Sequence, residues 1–255
     1  MLEPYAASNV VRCIHFVDIV SSTPIEFLVD MNATRRDRVP ATVEAICATH
    51  QARRKEIRAR LGEFREVWNT GSDGRLWEEL VYCIFTAGAS AQMGLRAVEA
   101  IRPLLMGGAP EAMTRALVRA RAYRYPNARP AYVVTTRDYL QASFAMRLRD
   151  HLKGFRDRQE RRDWLAKEPR IKGLGYKEAS HFLRNIGFKG YGILDKHVLR
   201  CLSELGAIDS PKPPTTRGRY LEIEARMQQF AARVQIDFDE LDLVLWSMKT
   251  GEVLK

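Results

Sequence analysis

The chain reads as an all-α protein, a two-lobed helical bundle, and three observations lead there. Apolar residues recur at the 3.6-residue spacing of helices over most of the 255 positions. Turn and cap chemistry punctuates them at 69–74, 106–110, 169, 187, 211–216 and 251. No segment reads clearly as a strand, and about ten helices account for the pattern.

Residues 1–50 form an N-terminal extension of unknown role, whose apolar run at 10–20 suits either a strand or a buried helix. A helix is expected over residues 38–68, with Val43, Ile46 and Cys47 on its apolar side and Arg53, Arg54, Arg58 and Arg60 exposed. Turn residues at 69–74 end it. Residues 77–86 are apolar nearly all round, as befits a helix at the centre of a bundle. The small, polar stretch 87–92 follows, where Ser90 and Gln92 offer hydrogen bonds to a ligand and Ser90 equally suits a helix cap. Helices over 93–105 and 111–120 lead into residues 121–130, where arginines and tyrosines interleave. That pattern serves a nucleic-acid backbone, or a loop whose tyrosines pack while its arginines face water. Further helices are expected over 132–148 and over 151–166, the latter with a strongly basic face.

Pro169 closes that region. An amphipathic helix over 178–186 carries Ala179, Phe182, Leu183 and Ile186 on one face and ends at Gly187. Asp195 is a natural N-cap for a helix over 196–205. The proline-rich stretch 211–216 is a stiff linker before a helix over 220–233. Asp237-Phe238-Asp239-Glu240 announces the last helix, which holds Trp246 and stops at Gly251.

Lys and Arg outnumber Asp and Glu by 41 to 31, and the excess is concentrated. Residues 141–200 hold 15 basic and 7 acidic side chains, whereas residues 201–255 hold 7 and 9. Such a surplus attracts a polyanion, DNA or RNA first, although a solvated basic face has the same composition. The four cysteines, Cys13, Cys47, Cys83 and Cys201, are isolated. Their spacing speaks against a zinc finger or iron–sulfur cluster and suits reduced thiols in a cytosol. With no membrane-length apolar run and no signal pattern, the expected location is the cytoplasm, at nucleoid DNA, with no membrane partner.

The stretch Ile171-Lys172-Gly173-Leu174-Gly175-Tyr176-Lys177-Glu178-Ala179-Ser180, followed by Ile193-Leu194-Asp195-Lys196-His197, organises the rest. Two glycines two apart separate helical patterns and leave backbone N–H groups able to hold a phosphate. Lys177 then falls in a first helical turn, where the helix dipole disfavours a cation by about 0.3–1 kcal/mol. That placement favours the neutral amine, which is what a nucleophilic lysine requires.

At these residues the chain resembles the helix-hairpin-helix superfamily of DNA glycosylases. Taken with residues 79–93, 125–129 and 243–255, it resembles more narrowly the second, archaeal-type class of 8-oxoguanine DNA glycosylase/lyase, over roughly residues 50–255. The resemblance implies one glycosylase domain over 51–255, two helical lobes with a cleft between them, acting as a monomer on double-stranded DNA that contains an oxidised base. It implies that Lys177 attacks C1′ of the damaged nucleotide, forming a Schiff base that leads to strand cleavage by β-elimination, and that Asp195 orients or activates Lys177 and offsets positive charge developing on the sugar. Since a carboxylate paired with the ammonium would oppose the neutral amine, Asp195 better suits the cationic transition state or proton transfer. Lys172, Gly173, Gly175, His197 and Arg129 would contact DNA. Trp246 would stack on the flipped base or be simply core; Lys249, Lys255 and its terminal carboxylate, Ser90 and Gln92 would read the base. No pattern calls for a cofactor or a catalytic metal. A glycosylase for another damaged or mismatched base, or a non-catalytic DNA-binding module, would share the hairpin.

Overall fold

The computed structural model describes residues 40–124 and 126–254. Among them are eleven α-helices and no strand: α1 (Val43–Thr70), α2 (Asp73–Thr86), α3 (Ala91–Ile101), α4 (Pro110–Arg119), α5 (Ala128–Phe144), α6 (Leu148–Gly154), α7 (Arg158–Lys167), α8 (Tyr176–Asn185), α9 (Lys196–Glu204), α10 (Arg217–Val234) and α11 (Phe238–Thr250). The apolar faces gather into two cores. One is built around α2 (Leu76, Trp77, Leu80, Phe85) with α3 and the apolar face of α8. The other is built from α9, α10 and α11. The all-round apolar character of α2 is explained by its place at the centre of the first core.

Both cores share α1. Ile46 and Ile57 pack into the second core, while Val67 and Trp68 pack against the first. Its 28 residues span roughly 42 Å at 1.5 Å per residue. Near its C-terminal end the chain after α8 passes very close. Gly187 has φ +96°, and a Cβ there would lie 2.8 Å from the Phe64 carbonyl oxygen and the Arg65 Cα. Only glycine meets both conditions.

Several boundaries differ from those the sequence suggests. The turn expected over 69–74 shrinks to Gly71 and Ser72, because Arg149 donates to the carbonyls of Trp68 and Gly71 while its N–H meets Asp73 Oδ1 at 2.7 Å. The helix expected over 151–166 is two helices, α6 and α7, broken at residues 155–157, with Asp157 capping α7 through a 2.6 Å bond from Gln159 N. Its basic face turns partly inward. Arg162 is completely buried against Glu224, and Arg161 lies 4.1 Å over Phe188 while donating to Leu152 and Phe155 carbonyls. Helix α5 begins at Ala128 rather than 132, with Pro130 tolerated in its first turn. Tyr123 packs and donates to the Phe85 carbonyl at 2.9 Å, whereas Tyr125 lies outside the described residues. Cys83 and Cys201 are buried free thiols, and Cys13 lies outside the described residues. Among the described residues, no helix is long and apolar enough to cross a membrane.

His151 packs against Phe144 (ring centroids 3.9 Å apart), Trp164 and Phe155, and its Nε2 is buried without a hydrogen-bond partner. Burial holds its pKa below 6.5. A histidine kept neutral in the fold contributes stability that is present above pH 6.5 and is lost as pH falls towards the depressed folded-state pKa. Replacing His151 by Phe should therefore flatten the decline of melting temperature between pH 7.5 and 5. Thermal melts across that range check it; parallel curves for the two proteins would refute it.

Candidate active site

The hairpin between α7 and α8 is tied down residue by residue. Glu168 accepts from Arg170 (2.7 Å) and from the Tyr139 hydroxyl (3.2 Å), and these partners, Arg170 first, hold its carboxyl at about 2. The Lys172 N–H donates to buried Thr136 Oγ1 at 3.0 Å, while its side chain is exposed to solvent. Gly173 adopts φ +80°, and a Cβ there would sit 2.9 Å from an Arg129 Nη and 3.0 Å from the Tyr132 ring. This glycine is demanded by both torsion and space. Gly175 has φ −103°, a conformation open to any residue, and its N–H is already taken by Glu178 Oε2 at 3.2 Å. Arg129 lies behind the hairpin: it donates to the Ala87 carbonyl at 2.7 Å and covers the Tyr132 ring, bracing the hairpin against the end of α2.

Lys177 is the second residue of α8, in the first turn. Its Nζ lies 2.9 Å from Glu178 Oε1, so the carboxylate beside it is Glu178. The capping-box spacing Gly175-x-x-Glu178 could have revealed that residue's bond to the backbone; nothing local revealed its grip on the lysine.

Lys177 faces a cleft of about 860 Å³, walled by the first turns of α3, α8 and α9, the linker at 213–216 and the last turns of α11. Asp195, His197, Trp246 and Ser90 line the same cleft, joined by Tyr176 and His181, which the sequence did not single out. His181 stands four residues after Lys177, hence on the same helical face, edge-on to Tyr82. Trp246 packs against the second core and also lines the cleft. Ser90 caps α3 by accepting from Met93 N at 3.2 Å, again alongside its place on the wall. Burial keeps the His197 pKa below 6.5, against the opposing pull of Asp195.

Asp195 caps α9, its Oδ1 accepting from His197 N and Val198 N at 2.8 Å each. The loop that delivers it is strapped by side chains of α10 and α11. Gly190 N donates to Asp239 (2.9 Å), Gly192 N to Glu224 (2.9 Å), Ile193 N to Asp242 (3.0 Å) and Leu194 N to the Tyr220 hydroxyl (3.4 Å). Two of those acids are neutralised from the helices flanking the hairpin: Glu224 by Arg162 at 2.6 Å and Asp242 by Arg184 at 2.7 Å. Burial outweighs Arg184 at Asp242 and pushes its carboxyl up to about 6. Helix, hairpin and aspartate thus form one buried framework.

The remaining candidates lie elsewhere. Lys249 is buried on Glu204, 2.7 Å from Oε2, and does not line the cleft. Gln92 is exposed and donates to Glu252 at 3.2 Å; it is not itself among the residues that line the cleft, although Ala91 and Met93 beside it are. Lys255 lies outside the described residues. Among the described residues no cluster of three or more His, Cys, Asp and Glu side chains could hold a metal ion.

The family model for 8-oxoguanine DNA glycosylase matches residues 57–236. The 8-oxoguanine DNA glycosylase/AP lyase of Korarchaeum cryptofilum is 40% identical over 202 residues, covering 79% of this chain and 91% of that protein. That of Fusobacterium nucleatum is 34% identical over 202 residues, covering 78% and 91%. The crystal structure of the Methanocaldococcus jannaschii 8-oxoguanine glycosylase/lyase in complex with 15mer DNA containing 8-oxoguanine superposes with a TM-score of 0.75 at 32% identity, covering 84% of this chain and 99% of that one.

Proposed function

The chain belongs to the 8-oxoguanine DNA glycosylase family, and on that premise we propose that it excises 8-oxoguanine from double-stranded DNA through a Schiff base on Lys177 and then cuts the strand by β-elimination. The observation that carries the assignment of roles is the meeting of Lys177, Asp195 and Trp246 on one cleft. The cleft is large enough for a flipped nucleotide.

The neutral Lys177 amine attacks C1′; the glycosidic bond breaks and its electron pair leaves with the base, which takes up a proton. The ammonium formed on C1′ gives its one excess proton to a base; the nitrogen lone pair then breaks the C1′–O4′ bond, O4′ takes up a proton to become a hydroxyl, and a protonated iminium is left. Loss of a C2′ proton then expels the 3′ phosphate. Glu178, at 2.9 Å from Nζ, is the base within reach of the lysine's proton. Both cap bonds of Asp195 fall on Oδ1, which leaves Oδ2 to face the cation that develops on the sugar. The α8 N-terminus and the exposed Lys172 receive backbone phosphate, with Gly173 shaping the turn and Arg129 bracing it. His197, on the cleft wall, stands where the α9 N-terminus meets the same backbone.

Borohydride trapping on an 8-oxoguanine duplex tests this reading. The expected result is a covalent adduct that peptide mass mapping places on Lys177, with a panel of other lesions giving far less. No adduct on any lesion would leave only a DNA binder, and an adduct preferring another base would redirect the substrate.

Trp246→Ala should slow 8-oxoguanine excision by about 5- to 150-fold, the worth of one aromatic–base stack of about 1–3 kcal/mol. Cleavage at a preformed abasic site, which has no base to stack, should change little. Single-turnover rates on the two substrates check this; equal losses would make Trp246 a packing residue only.

A further inference from the structure

Gln92 donates from Nε2 to Glu252, 3.2 Å from Oε1 and 3.5 Å from Oε2. The two residues are 160 apart in sequence, one on α3 in the first core's lobe and the other in the tail after α11. Ala91 and Met93, on either side of Gln92 in α3, line the cleft, as do Thr250 at the end of α11 and Leu254 in the tail, each two residues from Glu252. The contact therefore sits on the cleft rim and joins its two sides.

The tail is built to arrive there. Gly251, at φ +81°, turns the chain out of α11, and the Thr250 hydroxyl donates to the Trp246 carbonyl at 3.0 Å. The Glu252 N–H returns to Thr250 Oγ1 at 3.3 Å. Val253, 3% exposed, is sunk in the second core and roots the tail. On the other side, Ser90 caps α3, and the dipole at that helix start favours a carboxylate such as Glu252.

We propose that Gln92 and Glu252 form a latch across the cleft rim that positions the wall made by Trp246, Thr250 and Leu254. The proposal rests on the glycosylase reading, in which that wall receives the base. An exposed hydrogen bond adds little to global stability, so the latch acts by placement. It bears on the step that needs a seated base and far less on strand cleavage once the base has gone.

Gln92→Glu sets two carboxylates against each other, and Gln92→Glu with Glu252→Lys restores attraction. In single turnover, Gln92→Glu should lower 8-oxoguanine excision about 3- to 10-fold and cleavage at a preformed abasic site under about 2-fold, with the double variant returning excision to the wild-type rate. Wild-type excision by Gln92→Glu, equal losses in both reactions, or no restoration by the double variant would overturn the latch. Hydrogen exchange at residues 250–254 reads the latch without any reaction. It should quicken in Gln92→Glu and recover in the double variant. Unchanged exchange overturns the latch, whereas a wild type that excises no 8-oxoguanine overturns the functional reading instead.

Discussion

Lys177→Gln is expected to reduce 8-oxoguanine excision and abasic-site cleavage by on the order of 10⁴-fold or more, since removal of a covalent nucleophile leaves only binding and electrostatics to act. Folding should survive. The substitution removes a cation from a helix N-terminus, a gain of about 0.3–1 kcal/mol, and a partly exposed ion pair with Glu178, a loss of about 0–1 kcal/mol. Specific DNA binding should persist with an unchanged salt dependence of affinity, because Lys177 faces the sugar and not a phosphate. Single-turnover kinetics, thermal melts and a salt titration of affinity separate these effects. A variant that still cuts abasic DNA within a hundredfold of wild type would move the nucleophile to another amine.

Arg162→Met should destabilise the protein by about 3–5 kcal/mol, because Glu224 would be left charged and buried. Arg162 makes two bonds to that carboxylate, 2.6 and 2.9 Å, and a third to Ser180 Oγ at 3.1 Å. For a domain of this size the change corresponds to a melting shift of roughly 6–20 °C. Arg162→Met with Glu224→Gln removes both charges and should recover much of the loss, because the amide oxygen still meets Gly192 N. Urea denaturation of both variants checks this. A single-variant loss under 1 kcal/mol would mean that Glu224 takes a proton or finds water instead.

The parts of the site that could be read from the sequence are those whose physics is local. Asp195 announces itself as a cap, Gly187 as a helix end, and Lys177 as a cation in the wrong turn. Each follows from neighbours a few residues away. The parts that escaped depend on partners far along the chain. Arg162 looked like a surface charge because its carboxylate lies 62 residues downstream, on α10. Arg129 looked like a DNA contact because nothing nearby says that the Ala87 carbonyl awaits it. The short turn before α2 was likewise set by tertiary bonds from Arg149, which override intrinsic preference, whereas the break at 155–157 carries a local cap at Asp157. The loop straps are three acids and the Tyr220 hydroxyl on the amphipathic helices α10 and α11, and the periodicity of polarity cannot show which polar residues face inward.

Helix α1, which belongs to both cores, has a mechanical meaning. A cleft between two bodies joined only by loops opens on a hinge, but here a continuous beam of 28 residues is riveted to each body. Parting the bodies would bend that beam or strip its rivets, and packed cores resist both. The duplex, whose flexible steps kink at modest cost, is then the softer partner. On the glycosylase reading, the protein would be an anvil on which the DNA does the bending.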